Sequence, residues 1–213
     1  MNILISVLCL IMAYLYGSVP FALVIGKVFY NTDVRTKGSG NLGGTNAGRV
    51  LGKKAGAAVI LLDGTKCIVA ILITRLLAAH FNLSDDLFYF SALACIIGHC
   101  YPIFAGFKGG KGVSSAIAYT LMTNIYAFIF AVCVFMFTLK TTKYVSLSSI
   151  IGSVSVAIIA PFIGLIPPHW HYSTVGIITN FVIAALIVFK HHANISRIKN
   201  GTESKKYRNY LKE

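Results

Sequence analysis

The sequence is poor in acid. Among its 213 residues only 6 are Asp or Glu, against 19 Lys and Arg. Charged residues of both signs make up 12% of the chain, roughly half of what a soluble domain carries, so no soluble domain of useful size can be cut out of it. The five cysteines, Cys9, Cys67, Cys95, Cys100 and Cys133, form no C-x-x-C pair and are odd in number. They read as small apolar residues in apolar runs, with no disulfide framework. The pairs His169/His171 and His191/His192 have no carboxylate or cysteine cluster beside them, which argues against a metal site. The phosphate loop G-x-x-x-x-G-K-[ST] is missing, so nucleotide hydrolysis finds no support. No basic region precedes the first apolar run, Asn2 to Gly26, and that run is too long for the core of a cleaved leader; it reads as a retained helix.

What is present is apolar length and positive charge. The chain is 56% hydrophobic with mean hydropathy +0.76, and 19 Lys+Arg give a formal charge of +13. A first pass finds six apolar runs, 2–26, 55–79, 86–104, 113–139, 144–165 and 174–190, each near the length of about 20 residues that crosses a bilayer. Basic loops stay in the cytoplasm. That rule puts 27–54, with Lys27, Arg35, Lys37, Arg49, Lys53 and Lys54, inside and the N-terminus outside. Six spans would then send the tail from Lys190 onward, with seven Lys+Arg, to the outside.

The conflict disappears if 113–139 breaks at Thr123-Asn124, two poor helix formers. Lys140 and Lys143 then lie inside, and 166–173, with Pro167, Pro168, Trp170 and Tyr172, lies outside at an interface. The expectation is one all-α membrane domain over 1–213, a polytopic bundle of seven transmembrane helices. The N-terminus is external, the C-terminus cytoplasmic, and 113–122 is too short to cross alone at about 15 Å. Seventeen of the 19 Lys+Arg become cytoplasmic; Lys66 and Arg75 remain in the second span. Lys66 with Asp63, three residues away, reads as a functional candidate at membrane depth or as a structural pair. Arg75 is expected to snorkel.

Three cytoplasmic segments carry polar chemistry. Residues 38–49, GSGNLGGTNAGR, mix glycine with Ser39, Asn41, Thr45 and Asn46 and end on Arg49. Glycine lets backbone N–H groups turn toward an anion, and arginine binds phosphate bidentately. Residues 98–112, GHCYPIFAGFKGGKG, end in Lys108-Gly109-Gly110-Lys111-Gly112 just before an expected helix, whose N-terminus favours phosphate. Residues 191–203 place His191, Asn194 and Ile198 on one expected helix face, with Arg197 three beyond Asn194 and Glu203 at the end. A minor segment with Lys143 and Ser146 opens the sixth span. A fourth motif, H-x-x-x-x-D from His80 to Asp85, matches a different acyltransferase signature, but the charge argument places it outside and away from the others.

Taken together, G-S-G-N-x-G-x-T-N-x-x-R, G-H-x-Y-P-x-F-x-x-F-K-G-G-K-G-V and H-x-x-N-I-x-R-x-x-x-G-T-E resemble the three signature motifs of the bacterial acyl-phosphate-dependent glycerol-3-phosphate acyltransferases, the PlsY family. Gly44 stands where Ala is common and Tyr101 where Phe is common. The resemblance implies a seven-span enzyme of the bacterial inner membrane with its active site facing the cytoplasm. It would move a fatty acyl group from acyl phosphate to the 1-hydroxyl of sn-glycerol 3-phosphate, giving lysophosphatidic acid and phosphate. Partners would be those two substrates and membrane lipid, with no nucleic acid and no cofactor. By motif position, Ser39, Arg49, Lys111, His191 and Asn194 form the reaction centre. Gly40, Asn41, Thr45, Asn46, Lys108, Gly109, Gly110, Gly112, Lys143, Ser146, Arg197 and Glu203 bind substrate or its phosphate. Ser39 is expected to donate a hydrogen bond and not to act as a nucleophile, since no Ser-His-Asp arrangement surrounds it. The base is either His191 or a substrate phosphate, with His99 weaker; His99 has a second reading as a residue that fixes the turn before Pro102. A carrier for a phosphorylated metabolite is the competing class, but the chain shows no inverted repeat.

Overall fold

The first apolar run does not make one helix. In the computed structural model, which describes residues 2–165 and 171–205, it forms α1 (Asn2–Gly17) and α2 (Phe21–Tyr30). Pro20 supplies no N–H and ends the ladder, while Ser18 ties its own hydroxyl back to the Tyr14 carbonyl at 2.8 Å. Every other regular element among the described residues is also helical. These are α3 (Gly44–Leu51), α4 (Lys53–Phe81), α5 (Leu87–Cys100), a 3-10 turn at Ile103–Ala105, α6 (Val113–Thr123), α7 (Ile125–Thr142), α8 (Val145–Ile159), a 3-10 turn at Ile163–Leu165, α9 (Thr174–Lys190) and α10 (His192–Lys199). They fall into two compact units, one ending at Met122 and the other starting at Thr123.

In the first unit α1 crosses α5 at very close range. A Cβ on Gly17 would overlap the Cys95 carbonyl, and one on Gly98 would overlap the Tyr14 carbonyl. Helices with little else to drive them together in lipid use such small residues to bring backbones into contact. The Tyr14 hydroxyl then donates to the Tyr101 carbonyl at 2.9 Å. The long α4, 29 residues and about 43 Å, packs on α1, α2, α3 and α5. Arg75, near its far end, lays its guanidinium 4.1 Å from the Phe88 ring centre and donates to the Met122 carbonyl at 3.4 Å. The expected snorkelling is thus an anchored cation–π contact.

The second unit packs α7 against α8 and α8 against α9. The break at Thr123-Asn124 is present. Asn124 is extended (φ −157°, ψ 111°) and its side chain accepts from the Ala127 N–H at 3.0 Å, an N-cap for α7. A cap residue between two apolar stretches is what divides them. Tyr172 is buried and its hydroxyl lies 3.3 Å from Thr123 Oγ1, so it packs within this unit where an interfacial position was expected. Pro167, Pro168 and Trp170 lie outside the described residues.

Helices Lys53–Phe81, Leu87–Ala105 (taking the 3-10 turn as its end) and Ile125–Thr142 are long and apolar enough to cross a membrane. So is the broken run Asn2–Tyr30. The pair α9–α10, bent by 54°, passes together, and α6 and α8 are shorter apolar helices.

Candidate active site

Two groups of polar side chains take shape, one in each unit. In the first, residues 44–51 are a helix and not the loop expected from their composition. The glycines explain both facts. A Cβ on Gly44 would overlap Ile60 and crowd the Gly56 carbonyl, and one on Gly56 would sit 2.6 Å from the Gly48 Cα. Glycine is a poor helix former alone, but here it lets α3 lie directly on α4.

Asn46, buried on α3, accepts from the Ser39 N–H at 2.8 Å and donates to the Val34 and Lys37 carbonyls at 3.0 and 3.3 Å. It staples the segment 34–39 to the helix. Both ends of its amide are thus committed to the backbone, where the motif position had suggested a contact to phosphate. Ser39, Thr45 and Arg49 are exposed, with Arg49 in the last turn of α3. Gly40 has φ +68°, a left-handed turn that suits glycine. Asn41 donates to the Gly109 carbonyl at 3.2 Å, joining the first polar segment to the second across 68 residues. The Asp33–Arg35 pair sits beside them as a two-toothed salt bridge, closest at 2.6 Å, and the Arg35 hydrogen bond draws the Asp33 carboxyl down to about 2.

The second segment does precede a helix: Gly112 accepts from the Ala116 N–H at 2.8 Å and caps α6 with φ +82°. Lys108 is exposed, Lys111 half-buried. Gly109 and Gly110 have a packing reason for lacking a side chain, beyond the expected opening of the backbone to phosphate. A Cβ at Gly109 would overlap the His99 carbonyl and Pro102, and one at Gly110 would overlap the His99 ring. Their missing side chains make room for His99 and its neighbours. His99 itself is buried, with Nδ1 3.0 Å from Lys66 Nζ and 3.3 Å from Asp63 Oδ1. Asp63 and Lys66 do pair, at 3.0 Å, and the third member was not visible from spacing because it comes from α5.

The second unit gathers the C-terminal candidates on one carboxylate. Glu203 Oε1 accepts from Ser146 Oγ at 2.6 Å and Asn194 Nδ2 at 2.7 Å; Oε2 accepts from Arg197 Nε at 2.7 Å. Burial pushes the Glu203 carboxyl up, but these three hydrogen bonds outweigh it and hold it below its ordinary value. A carboxylate so placed holds the Ser146, Asn194 and Arg197 side chains in fixed positions. His191 does not share a continuous helix with Asn194, as expected from spacing; it sits at the 54° bend between α9 and α10. Its Nδ1 lies 2.7 Å from the Ile187 carbonyl. A carbonyl only accepts, so Nδ1 carries a proton and donates it to this hydrogen bond. Lys143 is the left-handed C-cap of α7 (φ +64°), and Tyr144, without a side-chain cap bond, is the N-cap of α8. The H-x-x-x-x-D motif is remote from the first group. His80 is exposed in the last turn of α4, the opposite end of that helix from α3, and stacks edge-on against Phe81 at 4.7 Å. Among the described residues no cluster of His, Cys, Asp or Glu could hold a metal.

The sequence profile of glycerol-3-phosphate acyltransferases matches residues 7–201. The chain belongs to the glycerol-3-phosphate acyltransferase family. It is 43% identical over 199 residues to the glycerol-3-phosphate acyltransferase of Listeria monocytogenes serotype 4a, covering 93% of this chain and 96% of that one. It is 45% identical over 198 residues to that of Exiguobacterium sibiricum, with 92% and 91% covered. Among solved structures it is similar to PlsY, described as an integral membrane glycerol 3-phosphate acyltransferase. The glycerol 3-phosphate form of PlsY superposes with a TM-score of 0.84 at 34% identity over 98% of this chain and 99% of that one. The lysophosphatidic acid form gives 0.79 at 34% identity over 94% of each. This family member is therefore an acyltransferase and an integral membrane protein.

Proposed function

We propose that the chain transfers a fatty acyl group from acyl phosphate to the 1-hydroxyl of sn-glycerol 3-phosphate, releasing lysophosphatidic acid and phosphate, as the first acylation of phospholipid synthesis. The observation that carries this is the presence of two separate sets of cationic and amide donors. Asn41, Lys108 and Lys111 stand before the α6 N-terminus in the first unit; Asn194 and Arg197 are aligned on Glu203 in the second. The reaction has two phosphates. The forms in which PlsY was solved, with glycerol 3-phosphate and with lysophosphatidic acid, support the acceptor and the product.

Acyl phosphate is a mixed anhydride, so no covalent enzyme intermediate is needed. The glycerol hydroxyl attacks the acyl carbon, the carbon–oxygen bond to phosphate breaks, and the departing phosphate takes the proton, directly or through Nε2 of His191. Catalysis then rests on holding two anions together and stabilising the oxyanion, with Lys111 and the N–H groups at the α6 N-terminus as donors. Ser39, Thr45 and Arg49, all exposed, are read as direct substrate contacts. In the first unit Gly40 and Gly112 supply turns, and Asn46 and the glycines at 109 and 110 support the segments that carry these contacts; in the second, Lys143 supplies a turn, and Ser146 and Glu203 align Asn194 and Arg197.

The reading includes seven spans, with α1–α2 as one broken span and α6 as a short one, an external N-terminus and a site facing the cytoplasm of the bacterial inner membrane. Purified protein in detergent, given both substrates, should release phosphate only when both are present. Folded protein that releases none contradicts the reading. A reporter fused at Lys143 tests the topology, with a cytoplasmic signal expected.

A further inference from the structure

Three ionisable side chains are buried together in the first unit and have no task in the chemistry above: Asp63 and Lys66 on α4, and His99 in the last turn of α5. Lys66 is 1% exposed. Its ammonium carries three protons and meets three acceptors. One is the Val19 carbonyl at 3.2 Å, at the α1–α2 break, which also accepts from the Phe21 N–H at 3.2 Å. The others are Asp63 Oδ1 at 3.0 Å and His99 Nδ1 at 3.0 Å. An ammonium can only donate, so Nδ1 accepts, and the neutral ring carries its proton on Nε2. That nitrogen faces Gly110, close enough that a Cβ there would overlap it.

The backbone of the same residues reaches the same loop. The His99 carbonyl accepts from the Gly110 N–H at 3.0 Å, and the Asp63 carbonyl accepts from Ser115 Oγ, in the first turn of α6, at 2.8 Å. The Lys108–Gly112 loop is thus gripped at Gly110 by His99 and just past its end by Asp63. A buried ion pair alone is weak evidence for stability, because desolvation cancels most of the attraction. What this one fixes is a tautomer and a ring angle, and the ring fixes the loop.

We infer that Asp63, Lys66 and His99 are positioning residues for the anion-binding loop 108–112, holding its backbone in the geometry that receives a substrate phosphate. The inference rests on the reading that this loop binds one of the two phosphates. Steady-state kinetics on Asp63→Asn, His99→Gln and the double variant Asp63→Leu/Lys66→Met test it, alongside thermal unfolding and a titration with inorganic phosphate followed by phosphorus NMR. The expected result is a KM about tenfold higher or more for one of the two substrates, with the other KM within about twofold, and phosphate affinity weakened by a similar factor. The double variant, which removes both charges, should regain the unfolding midpoint lost by Asp63→Asn and keep the raised KM. A purely structural pair predicts a lower kcat with both KM values unchanged. That result, KM values that rise together, a double variant that recovers KM along with stability or recovers neither, or unaltered phosphate affinity overturns the inference. A wild-type protein that binds phosphate but turns over neither substrate sinks the proposed reaction instead.

Discussion

Replacing Glu203 by Gln probes the second unit with almost no change of shape. Gln keeps one acceptor and turns the other into an NH2 group. Whichever way the amide lies, that group meets a donor: Arg197 Nε if it takes the place of Oε2, or Asn194 Nδ2 if it takes the place of Oε1. A hydrogen bond to a charged group contributes about 1.5–3 kcal/mol. The Arg197 side chain is 41% exposed, so water recovers part of this, and about 1–2 kcal/mol remains. If that energy holds Asn194 and Arg197 where the transition state needs them, kcat/KM falls about 5–30-fold. The assay is phosphate release from acyl phosphate with glycerol 3-phosphate as acceptor.

Acid supplies a second readout of the same variant. The folded-state pKa of Glu203 is depressed below its ordinary value of 4.5. Its contribution to stability is therefore complete above that value and is lost as pH falls through the lower folded one. The unfolding midpoint of wild type should drop over this acid range, and the Gln variant, having no proton to take up there, should lack that component. A Glu203→Gln protein with kcat/KM within about twofold of wild type refutes the alignment role. An acid profile identical to wild type refutes the linkage.

Other perturbations separate contact from support. Asn124→Ala removes the α7 cap and should cost about 1 kcal/mol, read as a lower unfolding midpoint with little effect on kcat. Gly110→Ala drives a methyl into the His99 ring and should cost about 1–3 kcal/mol, whereas Gly106→Ala, which meets nothing within 4 Å and has only its φ of +63° against it, should cost about 1–2 kcal/mol. Arg49→Ala and Asn194→Ala should abolish turnover at normal expression and unchanged elution of the purified protein. His80→Ala should leave turnover unchanged; lost activity at normal expression would restore the H-x-x-x-x-D pair as a candidate.

The elements that charge and capping define were open to reading in the sequence. The split at Thr123-Asn124 follows from counting basic loops, and the structure supplies the cap that executes it. The break inside the first run was harder, because hydropathy runs unbroken through it and only Pro20 marks the place. Helix α3 was hidden for a more instructive reason. Two glycines in eight residues read as loop, since propensity is a property of the isolated chain, while the helix is maintained by contact with Gly56 of α4 that only the absence of side chains permits. The bend at His191 escaped the argument from spacing because three- and four-residue steps presume an unbroken axis.

The site shows the same division between what is local and what is brought together. Motif residues such as Ser39, Arg49 and Lys111 are proposed by type, since hydroxyls and cations beside glycine suit phosphate wherever they fall. Support residues cannot. Asn46 looks identical in sequence to Asn41, and only the fold reveals that one joins two segments through Gly109 while the other is used up on Val34, Lys37 and Ser39. Glu203 is the sharper case. Acid is scarce in this chain, with 6 residues against 19 cations, and a carboxylate among phosphate ligands is electrostatically the wrong sign. Its burial under three donors resolves the contradiction: in the proposed site it orients the groups that would bind the anion. The same logic accounts for Asp63, under Lys66. Among the described residues, the two buried acids, Asp63 and Glu203, each organise cationic or amide groups that would otherwise be free to turn away.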